Sequence, residues 1–403
     1  MQPDLLDPTV ATDPMGVWGR VREEGPVVKG RAMDGSPAWY VTRAEDVRFV
    51  LGDPRFVTSP DGILGAVDLR KALLESLGMS TEEGGPLTDS VFDRGGADHT
   101  RLRKLVSRAF TMRRVTDLRP RVQEITDRLL DAVDRGETVD LVDELAYPLP
   151  ITVICELVGV PEADRPDWRR WSAVLCKMDP ERVPDARQGM VENVRALIRA
   201  RQAEPTGDLV TGLVQAQEED GDRLADEEMV SLVLALVAAG HETTAHLIAN
   251  SVIALLEHPD QLDRLRREPE GWPVAVNELM RMCSPVQITR MRYATEHVEL
   301  AGVTIRAGEM VQPVLLAANT DPREYSNADN LDVARRAAHR GGGHVGFGHG
   351  IHHCLGSALV RQEMEILLST LFTRFPDLAL VGDPVRTSSP GMRLVGELPV
   401  RIR

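Results

Sequence analysis

The 403-residue sequence is poor in aromatic side chains, and it has fewer basic than acidic residues. Phe, Trp and Tyr make up only 4% of the chain, so Leu, Val and Ala must fill most of the core. The 47 basic and 62 acidic residues leave a formal net charge of −15. This charge argues against a general nucleic-acid binder and against adhesion to an anionic membrane, although a local basic patch for an acidic partner is compatible with it.

The sequence also lacks recognisable targeting and membrane-spanning segments. Met1 to Val10 have neither the basic start nor the apolar stretch of a signal peptide. The most apolar run, Val230 to Gly240, is too short to cross a bilayer and is followed directly by His241. We therefore expect a cytoplasmic protein without a membrane partner.

Four cysteines are present, and none belongs to a CxxC pair or suggests a disulfide framework. Cys155, Cys176 and Cys283 lie in helical patterns and are interpreted as small buried hydrophobic residues. Cys354 differs, because it follows a segment rich in glycine and histidine.

The spacing of apolar residues predicts a mainly α fold with a minor β portion. Pro26 to Thr42 is predicted to form a hairpin around a turn at Asp34 to Pro37. The predicted helices are 44–51, 69–77, 113–134, 140–158, 185–203, 226–257, 272–282 and 354–372, the predicted strands are 298–300, 303–305 and 310–315, and strands and turns are predicted over 376–403. Since no repeat or linker is evident, residues 1–403 are predicted to form one domain.

The strongest local signal is the segment Phe347-Gly-His-Gly-Ile-His-His-Cys-Leu-Gly356. Its glycines at 348 and 350 allow the backbone to turn tightly and to pass close to a flat ligand. Cys354 is predicted at a helix N-terminus, where the helix dipole and free N–H groups stabilise a thiolate. A thiolate is a suitable axial ligand for haem iron, and Phe347 can shield the sulfur from water.

Two other interpretations of this segment are open. It could be a glycine-rich turn with an incidental buried cysteine, or it could bind zinc. Five of the ten histidines lie in this region: His339, His344, His349, His352 and His353. Zinc accounts for the histidines but not for the phenylalanine and the three glycines at these offsets.

The segment resembles the cysteine-loop signature of the cytochrome P450 family, Phe-Gly-x-Gly-x-x-x-Cys-x-Gly, and matches it at every fixed position. The resemblance covers nearly the whole chain and is strongest to the soluble bacterial branch. It implies the cytochrome P450 fold and non-covalent haem b, and the chain has no CxxCH attachment motif. By this resemblance Phe347, Gly348, His352, Cys354 and Gly356 contact the haem, with Cys354 as the ligand of the iron.

A second motif, Ala239-Gly-His-Glu-Thr-Thr244, lies within the long predicted helix 226–257. A glycine inside a helix costs about 1 kcal/mol relative to alanine, and a threonine hydroxyl can bond the preceding turn, so a local distortion is expected. Close packing of small residues against another helix would give the same pattern. The motif resembles the oxygen-binding groove of the family, and by that resemblance Ala239 and Gly240 make room over the haem. Thr243 then hydrogen-bonds the bound oxygen, and Glu242 relays protons.

Candidate partners for the two haem propionates carry positive charge. His99 and Arg103 are spaced i, i+4 and share one helix face, and arginine suits a carboxylate. A solvated basic helix face would also explain these residues. The family resemblance selects His99, Arg103, Arg292 and His352. Arg290 is two residues from Arg292 and would share its face on a strand, so it remains an alternative.

A further pair, Glu278 and Arg281, can form an ion pair on one helix face, as many surface residues do. By resemblance the pair holds the segment before the cysteine loop, so we assign it a structural role.

The implied reaction inserts one oxygen atom of O2 into a hydrophobic organic substrate, by hydroxylation or epoxidation. Bacterial secondary metabolism, such as macrolide or polyketide tailoring, is the expected setting, and residues 55–98, 164–185 and 286–289 are expected to line the pocket. Because no flavin or NAD fingerprint is present, electrons from NAD(P)H are expected to arrive through a ferredoxin and a ferredoxin reductase acting on a monomer. The alternatives are a peroxide-dependent haem-thiolate enzyme and a non-enzymatic metal-binding module built on the histidine cluster.

Overall fold

The computed structural model describes residues 3–69, 96–133, 138–177, 181–219, 224–336, 343–387 and 389–402. Helices dominate these residues and strands are short, which confirms the predicted mainly α architecture. The helices are α1 (Pro8–Thr12), α2 (Pro14–Glu24), α3 (Ala44–Gly52), α4 (Gly96–Ala109), α5 (Met112–Asp117), α6 (Arg119–Val133), α7 (Pro148–Val158), α8 (Arg165–Lys177), α9 (Val183–Ala203), α10 (Leu209–Glu219), α11 (Asp226–Glu257), α12 (Pro259–Arg267), α13 (Trp272–Cys283), α14 (Leu315–Asn319) and α15 (Ser357–Arg374).

The strands form small sheets at the edge of the helical body. The strands are β1 (Val27–Arg31), β2 (Pro37–Val41), β3 (Phe56–Val57), β4 (Thr138–Asp140), β5 (Arg292–Ala294), β6 (Val298–Leu300), β7 (Val303–Ile305), β8 (Met310–Pro313), β9 (Ala379–Leu380), β10 (Val385–Thr387), β11 (Leu394–Glu397) and β12 (Pro399–Arg401). The largest sheet has five strands in the order β1-β2-β8-β5-β3, and a three-stranded sheet has the order β4-β12-β9. Two hairpins, β6–β7 and β10–β11, complete the β portion of the described chain.

Several predicted elements are confirmed. The hairpin of β1 and β2 pairs Val27 with Val41 in antiparallel register. The long helix has the predicted bounds, the helix 185–203 begins two residues early at Val183, and the strands 298–300 and 303–305 are present. The predicted helix 69–77 lies outside the described residues beyond Leu69.

Other predicted bounds were wrong, and hydrogen bonding explains two of the differences. The predicted helix 113–134 is two helices, α5 and α6, which meet at Leu118. The predicted helix 140–158 is a strand, a π-helical turn at Val142–Ala146 and α7, because Asp140 pairs with Pro399 on β12. The strand predicted to reach Leu315 ends at Pro313. The C-terminal helix starts at Ser357 rather than Cys354, whose backbone N–H donates to the Phe347 carbonyl at 2.8 Å.

Helix α11 is the centre of the molecule and packs against α7, α9, α13 and α15. It is long and apolar enough to cross a membrane, so the apolar stretch is longer than the run Val230 to Gly240 suggested. However, 72% of its most apolar 18-residue window is buried within the protein, as in the core helix of a soluble protein. This helix carries the Ala239 to Thr244 motif through the core.

Candidate active site

The cysteine loop has the backbone geometry that its glycines predict. Gly348 and Gly350 have φ values of +73° and +70°, in the left-handed region that disfavours a side chain. A Cβ atom on Gly350 would also lie 2.4 Å from the Leu51 carbonyl oxygen of α3. The loop therefore packs tightly on α3 and turns Cys354 towards a cavity.

The surroundings of the Cys354 sulfur are shielded and partly cationic. Phe347 is buried, and the guanidinium carbon of Arg361 lies 4.4 Å from the centroid of its ring. A Cβ atom on Gly356 would lie 4.0 Å from the Cys354 sulfur, so the glycine leaves the space beside it open.

The position of Cys354 differs from the prediction, which placed it at a helix N-terminus. Burial raises the pKa of the Cys354 thiol, although the N–H of Gly356 and the charges of Arg103 and Arg361 oppose this effect. Cys354 lies three residues before the start of α15 rather than at its N-terminus. A metal cation bound to the sulfur would favour the thiolate.

A cavity of about 330 Å³ lies between the cysteine loop and α11. Ala239, Gly240, Thr243 and Thr244 face it from α11, and Cys354 faces it from the loop. The hydroxyls of Thr243 and Thr244 donate to the carbonyls of Ala239 and Gly240 at 2.8 and 3.0 Å, as expected for threonines inside a helix. The helix nevertheless continues without a break through this motif.

Gly240 also serves helix packing. A Cβ atom at this position would lie 3.2 Å from the terminal methyl of Ile154 on α7, which is tighter than ordinary contact. The glycine therefore both lines the cavity and allows α11 to approach α7. Close helix packing and space beside the cavity, the two interpretations of the motif, are thus compatible.

Glu242 does not line this cavity. It faces a separate chamber of about 90 Å³ together with Trp168, Ser172 and His241. Adjacent residues of a helix point about 100° apart, which explains why Thr243 and Glu242 face different spaces. The structure thus brings together all the predicted site residues except Glu242.

A cluster of basic side chains lines one wall of the cavity. His99, Arg103, Arg292 and His352 all face it, and the rings of His99 and His352 lie 4.2 Å apart, centroid to centroid. Burial, followed by the charges of Arg292 and other basic neighbours, lowers the pKa of His352 to about 3. Burial also lowers the pKa of Arg292 to about 10. The charged groups that act on His352 and Arg292 are all basic, so this wall is suited to an anion.

Two atoms of the cluster support the same conclusion. Nδ1 of His99 and Nε of Arg292 are buried, and neither finds a hydrogen-bond partner within the described part of the chain. Arg292 lies on β5 with 4% of its surface exposed, whereas Arg290 precedes the strand and is more exposed. Arg290 therefore does not lie on the strand as predicted, but both arginines line the cavity, and Arg292 has the more enclosed position.

Glu278 and Arg281 form the predicted ion pair, and it is fully buried. Two parallel contacts of 2.8 Å join the guanidinium to the carboxylate. Arg281 also donates to the carbonyls of Asn319, Ala328 and Asn330. The pair therefore fixes the segment that precedes the cysteine loop.

The structure does not support the zinc interpretation. Within the described ranges, no three His, Cys, Asp or Glu side chains lie close enough together to hold a metal ion. His339 falls outside these ranges, and half-buried His344 accepts a hydrogen bond from the backbone N–H of Gly346 instead.

Sequence reasoning missed part of the cavity wall. Val286, Thr289 and Thr58 fall in segments that were expected to line it. Phe110, Ile154, Leu247 and Leu315 line it as well, but they come from distant parts of the chain and belong to no motif. Among the described residues of 164–185, Trp168, Ser172 and Leu175 line the small chamber rather than the cavity.

The donor set fits haem b. Its iron requires an axial ligand, which Cys354 can supply, and its two propionates require cations or hydrogen-bond donors, which the basic wall supplies. Gly240, Gly348 and Gly356 line the cavity between the loop and α11 without a side chain, which favours binding of a flat ring there. The fold and the site together define a haem-thiolate protein.

The cytochrome P450 family model matches residues 175–271 and 273–399, and the chain belongs to this family. It is 43% identical to cytochrome P450 107B1 of Saccharopolyspora erythraea, covering 99% of this chain and 98% of the relative. It is 40% identical to the mycinamicin IV hydroxylase/epoxidase of Micromonospora griseorubida, covering 96% of this chain and 94% of the relative. The solved structure of tirandamycin C-bound P450 monooxygenase TamI matches with a TM-score of 0.85 at 34% identity and covers both chains fully.

Membership of this family confirms the predicted fold and class of activity. The protein is a monooxygenase that contains haem b, uses O2 and acts on an organic substrate. Electrons from NAD(P)H reach the haem through separate redox partners.

Proposed function

We propose that residues 1–403 form one domain that oxidises a bulky natural product of the macrolide or polyketide type in antibiotic biosynthesis. The observation that carries the proposal is the position of Cys354 opposite Thr243 across a largely apolar cavity. Relatives named mycinamicin IV hydroxylase/epoxidase and 6-deoxyerythronolide B hydroxylase support the substrate class. The test is a screen of macrolides against the purified haem protein, in which binding shifts the haem absorption spectrum. A library without any hit among macrolides and polyketides would contradict the substrate class but not the enzyme class.

We assign the haem contacts as follows. Cys354 would ligate the iron, with Phe347 covering the sulfur and Gly348 and Gly356 leaving space near it. Ala239 and Gly240, on the α11 side of the cavity, would make room for the ring. His99, Arg103, Arg292 and His352 would hold the propionates.

When bound, the haem supplies the activation of O2, and its thiolate ligand favours cleavage of the O–O bond. The chain contributes an apolar cavity that excludes water and a proton donor at its edge. The Thr243 hydroxyl faces the cavity, where it can hold a proton after a small rotation away from the Ala239 carbonyl. Glu242, on the neighbouring side of the same helix turn, supplies protons to Thr243.

The first prediction concerns Thr243→Ala. We expect this variant to bind haem and substrate and to consume NADPH through its partners, because it changes neither the cysteine loop nor the basic wall. Product formed per NADPH should fall by about a hundredfold, the lower range for loss of general acid catalysis, while hydrogen peroxide accumulates. NADPH, product and peroxide are measured in the same reaction.

Thr244→Ala is the matched control. Thr244 carries the same hydroxyl, bonds to the helix in the same way and also lines the cavity, but it points about 100° away from Thr243 around the helix. We expect it to retain most of the coupling between NADPH and product. If Thr243→Ala shows the coupling of the wild type, Thr243 has no part in proton delivery, although the haem assignment would stand.

We further propose that the chain is a cytoplasmic monomer that binds neither nucleic acid nor membrane. Its electrons come from a ferredoxin and a ferredoxin reductase. The candidate docking face consists of Arg101, Lys104, Arg108, Arg113, Arg114 and Arg361. The structure separates this set, because Arg101 pairs with Glu228, Arg114 bonds the Ala109 carbonyl, and Arg361 bonds Asn277. Lys104, Arg108 and Arg113 are the exposed members.

The second prediction is that reduction by an acidic ferredoxin slows as ionic strength rises, because salt screens exposed charges. Lys104→Glu should lower the reduction rate at low salt and flatten its salt dependence. Lys29→Glu, an exposed charge reversal on β1, should leave both unchanged. A wild-type rate that is constant from low to high salt would show that this face does not steer the partner.

A further inference from the structure

The small chamber beside α11 has polar groups that the cavity chemistry does not use. It lies between α8, α9 and α11, and its volume is about 90 Å³. Trp168 and Met190 form part of its wall, and the indole N–H of Trp168 donates to Asn193 rather than into the chamber. The polar side chains that line it are Ser172, His241 and Glu242.

His241 presents a hydrogen-bond acceptor to this space. Its Nδ1 lies 2.7 Å from the Val237 carbonyl oxygen, which can only accept, so Nδ1 carries the hydrogen. Burial lowers the pKa of His241 and keeps the ring neutral, so Nε2 carries a lone pair. The residue is 3% exposed, and Nε2 has no hydrogen-bond partner among the residues that the structure describes.

Ser172 presents a second polar atom from α8. Its side chain is also 3% exposed, and its hydroxyl has no partner in the described ranges. A buried water needs about 10 to 15 Å³ and two or more polar partners. The chamber is large enough for several waters, and Ser172, His241 and Glu242 can serve as their partners.

We infer that waters in this chamber, positioned by Ser172 and His241, return protons to Glu242 after Glu242 has supplied Thr243. One proton leaves the Glu242 carboxyl towards Thr243, one proton from a chamber water replaces it, and bulk solvent returns a proton to that water, so that no hydroxide remains in the chamber. Ser172 and His241 are thus positioning residues that act through water and do not touch the haem. The inference rests on the proposed role of Glu242. It specifies in addition that protons reach Glu242 from the side of α11 that faces α8 and α9.

The test uses Ser172→Ala and His241→Phe in the haem-loaded protein. We expect product formation to slow about fivefold for Ser172→Ala, the kinetic equivalent of one hydrogen bond, and further for His241→Phe. The solvent isotope effect in D2O should increase in both variants, because proton transfer becomes more limiting, while the spectral shift on substrate binding is unchanged. If His241→Phe does not fold, Ser172→Ala alone decides the kinetic test.

The controls are Ser251→Ala and His246→Phe, which remove a buried serine and a buried histidine from α11 outside the chamber. Both should keep the isotope effect of the wild type. A second readout does not depend on activity: a high-resolution crystal structure of the ferric protein should show waters within hydrogen-bond distance of Nε2 of His241 and the hydroxyl of Ser172.

A dry chamber, or an isotope effect that Ser172→Ala leaves unchanged, would overturn the inference. These results differ from failure of the relay itself. If Thr243→Ala is uncoupled while the chamber variants match the wild type, protons reach Glu242 by another route. If Thr243→Ala is fully coupled, the relay and the chamber route fail together.

Discussion

Cys354→Ser is expected to abolish monooxygenase activity and to remove the thiolate signature from the spectrum of the carbon-monoxide complex. A serine hydroxyl is a poor ligand for haem iron, and it donates less electron density for O–O cleavage than a thiolate. The loop should keep its shape, because the Cys354 backbone N–H still donates to the Phe347 carbonyl. Monooxygenase activity should therefore fall below the limit of detection, while the amount of folded protein should stay the same.

The other cysteines provide controls. Cys155 and Cys283 are buried in α7 and α13, where burial raises the pKa of each thiol to about 12 and about 11, respectively. Serine at either position should leave the thiolate spectrum intact, at some cost in stability, and Cys176→Ser is also expected to keep it. A thiolate spectrum that persists in Cys354→Ser would show that another residue ligates the iron.

Arg281→Met is expected to give the largest loss of stability. The side chains of Arg281 and Glu278 are only 2% and 1% exposed. Removal of the guanidinium therefore leaves the buried Glu278 carboxylate without its closest positive charge. The backbone carbonyls of Asn319 and Ala328 also lose the Arg281 donor, and that of Asn330 keeps only the bond from Arg335. Breaking such a pair from one side costs about 3–5 kcal/mol, a large share of the unfolding free energy of a typical domain.

The measurement is the free energy of unfolding in denaturant, together with haem content after purification. We expect both to fall, because the segment that the pair fixes leads into the cysteine loop. Arg113→Met is the matched control, since Arg113 and Asp117 form an ion pair whose side chains are 91% and 68% exposed. Such surface pairs contribute about 0–1 kcal/mol. Equal effects of the two substitutions would contradict a structural role for the buried pair.

The sequence predicted those parts of the site that depend on short-range chemistry. Glycines at 348 and 350 specify left-handed backbone, and the i, i+3 spacing of Glu278 and Arg281 places them on one face, so both features were visible in the residues themselves. The long helix was predicted within its bounds because its apolar pattern continues without interruption from Asp226 to Glu257.

Features that depend on distant contacts could not be predicted. Apolar periodicity runs through 113–134, yet the chain bends at Leu118, and Asp140 leaves its helical pattern to pair with β12. The raised pKa of Cys354 results chiefly from burial by the whole fold, which the sequence of the loop does not reveal. The division of Thr243 and Glu242 between two spaces likewise depends on what packs around α11.

The five-stranded sheet has a consequence for the order of events during synthesis. Strand β2, near the N-terminus, pairs in parallel with β8, and Ala38 lies opposite Met310. The central strands of this sheet therefore cannot associate until most of the chain has left the ribosome, and such distant pairings form slowly. Arg292 of the basic wall lies on β5, which pairs with β8 in the same sheet, and Cys354 is synthesised later still. A nascent chain that stops before Cys354 therefore lacks the residue proposed to ligate the haem iron.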